Sequence, residues 1–158
     1  MLRRLAQFGL VVAFATVAGC SRKQTWHTKV EITRLHPFGK DLKAPTLMDI
    51  ELKYSECPGD ARKLIRGDKE FASCALAFKT GQKVEVEVVS AWNSERGSYR
   101  SDILKIGDCT IKADPKDEAN YERVEACTEL KMTGAVVGVH CDRKRTDALL
   151  QKCPWLRR

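Results

Sequence analysis

The sequence predicts an α+β fold, in which a mostly antiparallel β-sheet or small open barrel carries two or three short helices and is stabilised by disulfides. Alternating apolar and polar residues indicate about six strands, each with one buried and one solvated face. Short apolar stripes at helical spacing indicate the helices. Six cysteines between residues 57 and 153 indicate covalent cross-links.

The clearest strand signal covers residues 47–55, where every second position is apolar: Met48, Ile50, Leu52 and Tyr54. The same alternation, or a turn between two apolar runs, predicts further strands over residues 28–35, 83–89, 99–106, 129–132 and 135–140. Thr133 and Gly134 are expected to form the turn of the last hairpin. In the strand over residues 83–89, the valines are expected to point inward and Glu85 and Glu87 outward.

Three helices are predicted. Asp68 can cap the first, whose apolar residues fall at i, i+3, i+4 and i+7: Phe71, Cys74, Ala75 and Phe78. Asp114 followed by Pro115 is typical of an N-cap with proline at the first helical position, so a second helix is expected through Cys127. Residues 146–153 predict a last helical turn or two, followed by Pro154 and Trp155. Trp155 is expected to pack in the core or at its rim.

The first twenty residues have the composition of an export signal. Arg3 and Arg4 are the only charges before Cys20, and residues 5–18 form an uncharged, mostly apolar run. This run is too short for a membrane-spanning helix, which needs about 20 residues. A basic start followed by a short apolar run predicts a signal peptide.

The end of this run resembles the lipobox of bacterial lipoproteins. Val17, Ala18 and Gly19 precede Cys20, and the usual lipobox has leucine, a small residue, glycine or alanine, and an obligatory cysteine. Val17 in place of leucine is the one departure from that pattern. Small side chains suit a narrow protease site, and only a thiol can form the thioether to diacylglycerol.

The resemblance implies cleavage before Cys20, lipidation of its thiol and acylation of the freed amine. Residues 1–19 are then the removed signal peptide, residues 20–27 the lipidated cysteine and a short tether, and residues 28–158 a single disulfide-bonded envelope domain. Two or three acyl chains give stable membrane attachment. Ser21 resembles the sorting signal for release to the outer membrane, so we expect a lipid-anchored protein of the cell envelope, at the outer membrane.

The six remaining cysteines predict three disulfides, because an even number of spread cysteines in an exported chain is typical of a disulfide framework. They are Cys57, Cys74, Cys109, Cys127, Cys141 and Cys153. Fifteen connectivities are possible for six cysteines. The simplest hypothesis pairs neighbours along the chain, as Cys57–Cys74, Cys109–Cys127 and Cys141–Cys153. From Cys57 to Trp155 the chain also resembles other cysteine-containing envelope lipoproteins, and this resemblance implies no particular activity.

No motif for catalysis or for a bound cofactor is present. The chain has no Cys-x-x-Cys or His-x-x-x-His spacing, which argues against a metal site and a thioredoxin-like redox role. It also lacks the Gly-x-Ser-x-Gly, Ser-x-x-Lys and His-Glu-x-x-His motifs of hydrolases. His27, His36 and His140 occur singly. We therefore expect a protein that is not an enzyme and that needs no metal or cofactor.

The mature chain is moderately basic. Residues 1–19 carry Arg3, Arg4 and no acid, so the remaining 139 residues hold 26 basic and 21 acidic side chains, a net charge of +5. Arg143, Lys144 and Arg145 lie in the densest basic cluster and are the candidate anion-binding residues. Nucleic acid is a poor partner for an exported protein.

These observations leave three functional hypotheses. The first is a non-enzymatic envelope lipoprotein that binds an envelope protein or supports envelope structure. The second is a binder of anionic envelope polymer or lipid, acting through the basic C-terminal region. The third is an enzyme with an unfamiliar site, which a deep pocket with convergent polar groups would indicate.

Overall fold

The computed structural model describes residues 23–112, 117 and 120–158, without the side chain of Cys127. Eight strands, all paired antiparallel, make up most of this part of the chain. The strands are β1 Gln24–Phe38, β2 Leu47–Tyr54, β3 Asp60–Gly67, β4 Lys83–Asn93, β5 Ser98–Ile106, β6 Cys109–Thr110, β7 Tyr121–Met132 and β8 Ala135–Asp142. Two short helices, α1 Lys69–Ala75 and α2 Asp147–Lys152, and a 3-10 turn at Pro154–Leu156 complete the described elements. The fold is therefore mainly β, and the α+β class predicted from the sequence is wrong.

The strands with clear alternation form where the sequence predicts them. In β2, Met48, Ile50, Leu52 and Tyr54 are buried, which confirms the period-two reading of that segment. The hairpin turn at Thr133 and Gly134 is also confirmed, and both residues have positive φ values, 50° and 87°. Such a pair of left-handed residues matches the twist of the flanking strands.

The second predicted helix is the main error within the described residues. Asp114 and Pro115 lie outside those residues, but the backbone from Tyr121 to Cys127 belongs to β7. It pairs with β3, a strand that the sequence analysis missed because basic and apolar residues do not alternate in it. β3 lies between β2 and β7, so ladder hydrogen bonds on both sides outweigh its weak local pattern. One fewer helix, the two additional strands β3 and β6 and the longer β7 account for the change of fold class.

The sheet has the strand order β6-β5-β4-β1-β2-β3-β7-β8 and curls around the core. The curl brings β3 close to β5, although these two strands are not neighbours in the ladder. A hydrogen bond joins them, in which Lys63 Nζ donates to the carbonyl of Ser101. Helix α1 packs inside one end of the curl, where Asp68 caps it by accepting from the Phe71 N–H, as predicted. Neither described helix has the length and apolar composition of a membrane-spanning helix.

The C-terminal segment, residues 145–158, packs into the opening of the curled sheet. Thr146 caps α2, which confirms the predicted last helix. Trp155 is buried, and its ring lies 6.0 Å from those of Trp26 and Tyr54, so its expected core position is confirmed. Arg145 fastens the segment by donating from Nε to the Leu156 carbonyl at 2.7 Å.

The disulfides connect distant parts of the chain and not sequence neighbours. Cys57 is bonded to Cys153, and Cys74 on α1 is bonded to Cys109 on β6. The neighbour pairing is therefore wrong, because the curl places the turn after β2 beside the C-terminal segment and α1 beside β6. Cys141 is also disulfide-bonded, and its backbone lies opposite that of Cys127 in the β7–β8 register.

Asp60 is the centre of an ion-pair cluster on β3. It accepts from Arg62 Nε at 2.9 Å and from Arg123 Nη2 at 3.2 Å, and Lys53 Nζ lies 3.9 Å away. Partial burial by itself would raise the pKa of the Asp60 carboxyl. The three cations outweigh burial and hold that pKa below its ordinary value of 3.8.

We predict that this cluster makes the domain sensitive to acid. A carboxyl whose folded pKa is depressed stabilises the fold above its unfolded pKa, and this stability is lost as the pH falls through the folded value. Asp60→Asn should lower the free energy of unfolding by about 1–3 kcal/mol at neutral pH, and the difference should shrink below about pH 3. Urea titrations of the wild type and the variant across this range measure it. Glu95→Gln, in an exposed turn, is the control, and an equal loss there would contradict the prediction.

We also predict that the Cys57–Cys153 and Cys74–Cys109 disulfides differ in their contribution to stability. Replacing Cys57 and Cys153 by alanine opens a loop with a sequence separation of 96 residues and releases the C-terminal segment. Replacing Cys74 and Cys109 opens a separation of 35. Both losses should fall within about 2–5 kcal/mol, with the first pair costing more. Thermal unfolding of the two double variants provides the comparison, and non-reducing peptide mapping verifies the pairing.

Candidate functional site

A cleft of about 380 Å³ opens where the two arms of the curled sheet face each other, and we call it the basic cleft. One wall comes from β3 and the start of β7, and the other from the β4–β5 hairpin. The end of the C-terminal segment closes a third side. Its lining residues are Lys63, Ile65, Asn93, Arg96, Ser98, Tyr99, Arg100, Ser101, Asp102, Ile103, Asn120, Tyr121, Glu122, Arg157 and Arg158.

The lining of the basic cleft carries an excess of positive charge. Five of its side chains are cationic, and two, Asp102 and Glu122, are acidic. The cations come from three separate stretches of chain: Lys63 from β3, Arg96 and Arg100 from the β4–β5 hairpin, and Arg157 and Arg158 from the C-terminal segment. The excess therefore exists only because the sheet curls.

Both acids of the cleft are already engaged. Asp102 Oδ1 accepts from Arg100 Nε at 3.1 Å and Nη2 at 2.9 Å. Glu122 Oε1 accepts from Arg145 Nη2 at 2.7 Å, and Arg158 Nη2 lies 4.0 Å away. Within the described part of the chain, the three other cations of the lining form no ion pair with a carboxylate: Lys63, Arg96 and Arg157. These three charges are available to a bound anion.

Lys63 lies deepest among these cations. Its ammonium donates to the Ser101 carbonyl across the cleft. Burial lowers the pKa of the Lys63 ammonium, and Arg100 and Arg158 act in the same direction, against the opposing effect of Glu122 and Asp102. A negative group bound beside Lys63 would offset part of this burial penalty.

The aromatic residue Tyr99 forms part of the wall at the mouth of the cleft. The Arg157 guanidinium carbon lies 6.0 Å from the Tyr99 ring centroid, within the range of a cation–π contact. Trp92 packs edge-on against Tyr99 with centroids 5.1 Å apart and remains 38% exposed. These contacts orient the Arg157 side chain along the wall and leave an amphipathic surface beside it.

Two of the hydroxyl groups that line the cleft donate to acceptors outside it. The described lining contains no histidine or cysteine, and the Ser101 hydroxyl donates to the Trp155 carbonyl. On the opposite wall the Tyr121 hydroxyl donates to Glu51 at 3.1 Å. Neither hydroxyl donates to a base inside the cleft, as an activated nucleophile would. No group of three metal-ligating side chains occurs within residues 23–112, 117 and 120–158.

The three residues predicted to bind an anion do not line this cleft. Arg145 is held by Glu122 and the Leu156 carbonyl, so its guanidinium fastens the C-terminal segment to β7. Arg143 extends into solvent with its Nε 3.6 Å from Glu125, and Lys144 is exposed. The predicted lipidation site, Cys20, lies outside the described residues.

Sequence reasoning missed Lys63, Arg96 and Arg100 because they are far apart along the chain and no local motif connects them. Arg157 belongs to the basic C-terminal region of the sequence, which does not by itself indicate a cleft. The basic residues of β3 and of the β4–β5 turn carry no signal that they face each other. Only the strand order and the curl bring them to one cleft.

Comparisons with protein-family models, with curated proteins and with solved structures find no significant match to this chain. No relative's activity can therefore be carried over to it. What the chain does has to be inferred from the geometry of the basic cleft and from the sequence around Cys20.

Proposed function

We propose that this chain is a lipid-anchored protein of the cell envelope whose domain binds an anionic ligand in the basic cleft and performs no chemistry on it. The observation that carries the binding proposal is the convergence of Lys63, Arg96 and Arg157 on one cleft in which the described acids are already paired. The ligand class is a phosphate or carboxylate group borne by an envelope glycan.

The anchoring part of the proposal depends on residues 1–20. A basic start, a short apolar run and small residues before Cys20 favour cleavage and lipidation at that cysteine. The two disulfides Cys57–Cys153 and Cys74–Cys109 support an oxidising compartment outside the cytoplasm. Both observations favour an exported protein held on a membrane.

The anion-binding part depends on where the charges lie. Exposed cations such as Arg143 and Lys144 are surrounded by water and salt, so each contributes little to binding. Lys63 lies against protein on several sides, where the effective dielectric constant is lower and a charge-assisted hydrogen bond is stronger. Arg96 and Arg157 are exposed, but they line the same cleft and can contact an anion that Lys63 holds. The basic cleft therefore replaces the Arg143–Arg145 surface as the preferred anion site.

We predict that Cys20→Ala abolishes lipid attachment. The thioether needs the Cys20 thiol, so the variant should incorporate no labelled fatty acid and should remain uncleaved by the lipoprotein peptidase. Metabolic labelling followed by electrophoresis measures both outcomes. Ser21→Ala is the matched control, because it leaves the thiol in place and should be labelled normally. Labelling of Cys20→Ala would contradict the lipid anchor.

We predict that the cleft, and not the exposed basic surface, binds anionic glycan. Dextran sulfate serves as the probe, and uncharged dextran is its control. Replacing both Arg96 and Arg157 by glutamine should weaken dextran sulfate binding about tenfold or more, because each charge-assisted contact contributes about 1.5–3 kcal/mol. Titration calorimetry at low and at physiological salt measures the affinity, which should fall as salt rises.

The matched control for this experiment is a double variant in which Arg143 and Lys144 become glutamine. It removes the same number of charges from the exposed surface and should change the affinity by less than about threefold. Equal losses in the two double variants would show that net charge alone attracts the probe. Binding that ignores both pairs of substitutions would contradict an anion site in the cleft.

A further inference from the structure

The β7–β8 hairpin carries the densest group of exposed apolar side chains among the described residues. We call residues 128–140 the apolar hairpin. Five large apolar side chains in it are at least half exposed: Leu130, Met132, Val136, Val137 and Val139. Surface patches of this kind mark interaction sites more often than single exposed residues do.

The apolar side chains lie on both faces of this two-stranded ribbon. Leu130 and Met132 share one face, since they are two residues apart on β7. Val139 lies opposite Glu129 in the register, and Val136 lies opposite Lys131, so both valines are on the other face. On that face Glu129 and Lys131 pair at 3.3 Å. The ribbon therefore has a largely apolar tip with its charges internally neutralised.

The hairpin projects from the end of the sheet at which the chain enters. A single row of paired residues crosses four strands: Glu31 on β1, Lys53 on β2, Arg62 on β3 and Arg123 on β7. Because β1 and β7 run in opposite directions, the start of β1 and the end of β7 lie on the same side of this row. Gln24 is seven residues from the row, and Met132 is nine residues from it. The tip thus extends at least as far as Gln24, the first residue of β1.

Residues 24–27 belong to β1, so little chain separates Cys20 from the sheet. Four residue steps separate Cys20 from Gln24, and a fully extended chain of this length spans at most about 14 Å. A membrane that holds acyl chains on Cys20 is therefore close to the end of the sheet where the hairpin projects. Strands rise about 3.4 Å per residue, so the tip has the reach to contact that membrane.

The β4–β5 turn adds interfacial residues at the same end. β4 runs antiparallel to β1, so its last residues also lie where β1 begins. Half-exposed Trp92 and exposed Arg96 are located there. Tryptophan and arginine are favoured at the boundary between lipid headgroups and acyl chains, the first for its amphipathic ring and the second for anionic headgroups.

We propose that the apolar hairpin inserts into the surface of the membrane that anchors Cys20, and so fixes the orientation of the domain. The inference rests on the lipid anchor proposed above. Lipid is the occupant that fits, because a protein groove or strand would cover one face of the ribbon while lipid surrounds both. In this orientation the loop between β1 and β2 points away from the membrane.

The test places a tryptophan at each end of the full chain. Met132→Trp puts the reporter at the hairpin tip. Leu42→Trp puts it in the β1–β2 loop, at the opposite end of the sheet, where Leu42 is equally exposed. Each mature protein is reconstituted into vesicles of phosphatidylethanolamine and phosphatidylglycerol with brominated acyl chains. The fluorescence of the wild type is subtracted from that of each variant, which removes the signal of the three native tryptophans. The remaining fluorescence in brominated vesicles is then compared with that in unbrominated vesicles.

Quenching of the added tryptophan should be at least about twofold greater for Met132→Trp than for Leu42→Trp, because an interfacial segment is buried about 5–10 Å into the boundary region. The intact mass of each purified protein reports the acylation of Cys20 separately. A lipidated protein with equal quenching at both sites overturns the orientation and leaves the anchor intact. A protein without acyl chains overturns the proposed anchor.

A protease experiment provides a second measurement on the unaltered chain. Trypsin should cut after Lys43, in the exposed β1–β2 loop, at the same rate in detergent and in vesicles. Cutting after Arg96, at the membrane-facing end, should be slower in vesicles. Equal rates of cleavage after Arg96 in detergent and in vesicles would contradict the proposal. This result does not depend on the folding of a tryptophan variant, because the chain is unaltered.

Discussion

The insertion of the C-terminal segment into the curled sheet is the interaction on which the rest of the structure depends. Trp155 packs against Trp26 of β1 and Tyr54 of β2, and its carbonyl accepts from Ser101 of β5. Arg145 connects the same segment to β7 through Glu122. One short segment therefore contacts four strands, and the Cys57–Cys153 disulfide fastens it covalently. The segment therefore holds together strands of the curled sheet that are not neighbours in the ladder.

The basic cleft follows from this closure. Arg157 and Arg158 reach its rim because Trp155 and Leu156 are buried just before them. Lys63 of β3 faces the β4–β5 hairpin because the curl brings the two arms together. Stability and the proposed binding function are consequently coupled through one segment. Loss of the Cys57–Cys153 bond would loosen the core and disperse the cations of the cleft together.

The two proposed surfaces divide the domain between membrane and ligand. Strand direction places the tether, the apolar hairpin and the β4–β5 turn at one end of the sheet. The basic cleft opens along the side, between β3 and β5, with Arg96 shared by the rim of the cleft and by the membrane-facing turn. A domain oriented in this way would hold its anion site close to the membrane surface, where an envelope glycan begins.

Local stretches of the amino-acid sequence were enough to predict the properties that depend on neighbouring residues. Three such properties are the strand alternation of β2, the Asp68 cap and the turn at Thr133 and Gly134. Each of them depends on residues that are close together in the sequence. The signal-like start and Cys20 are local in the same sense and remain predictions. The tertiary structure alone decided the mainly β class, the disulfide pairing and the basic cleft. Each of these requires residues such as Lys63 and Arg157 to meet across long stretches of chain, and only the order and curl of the strands bring them together.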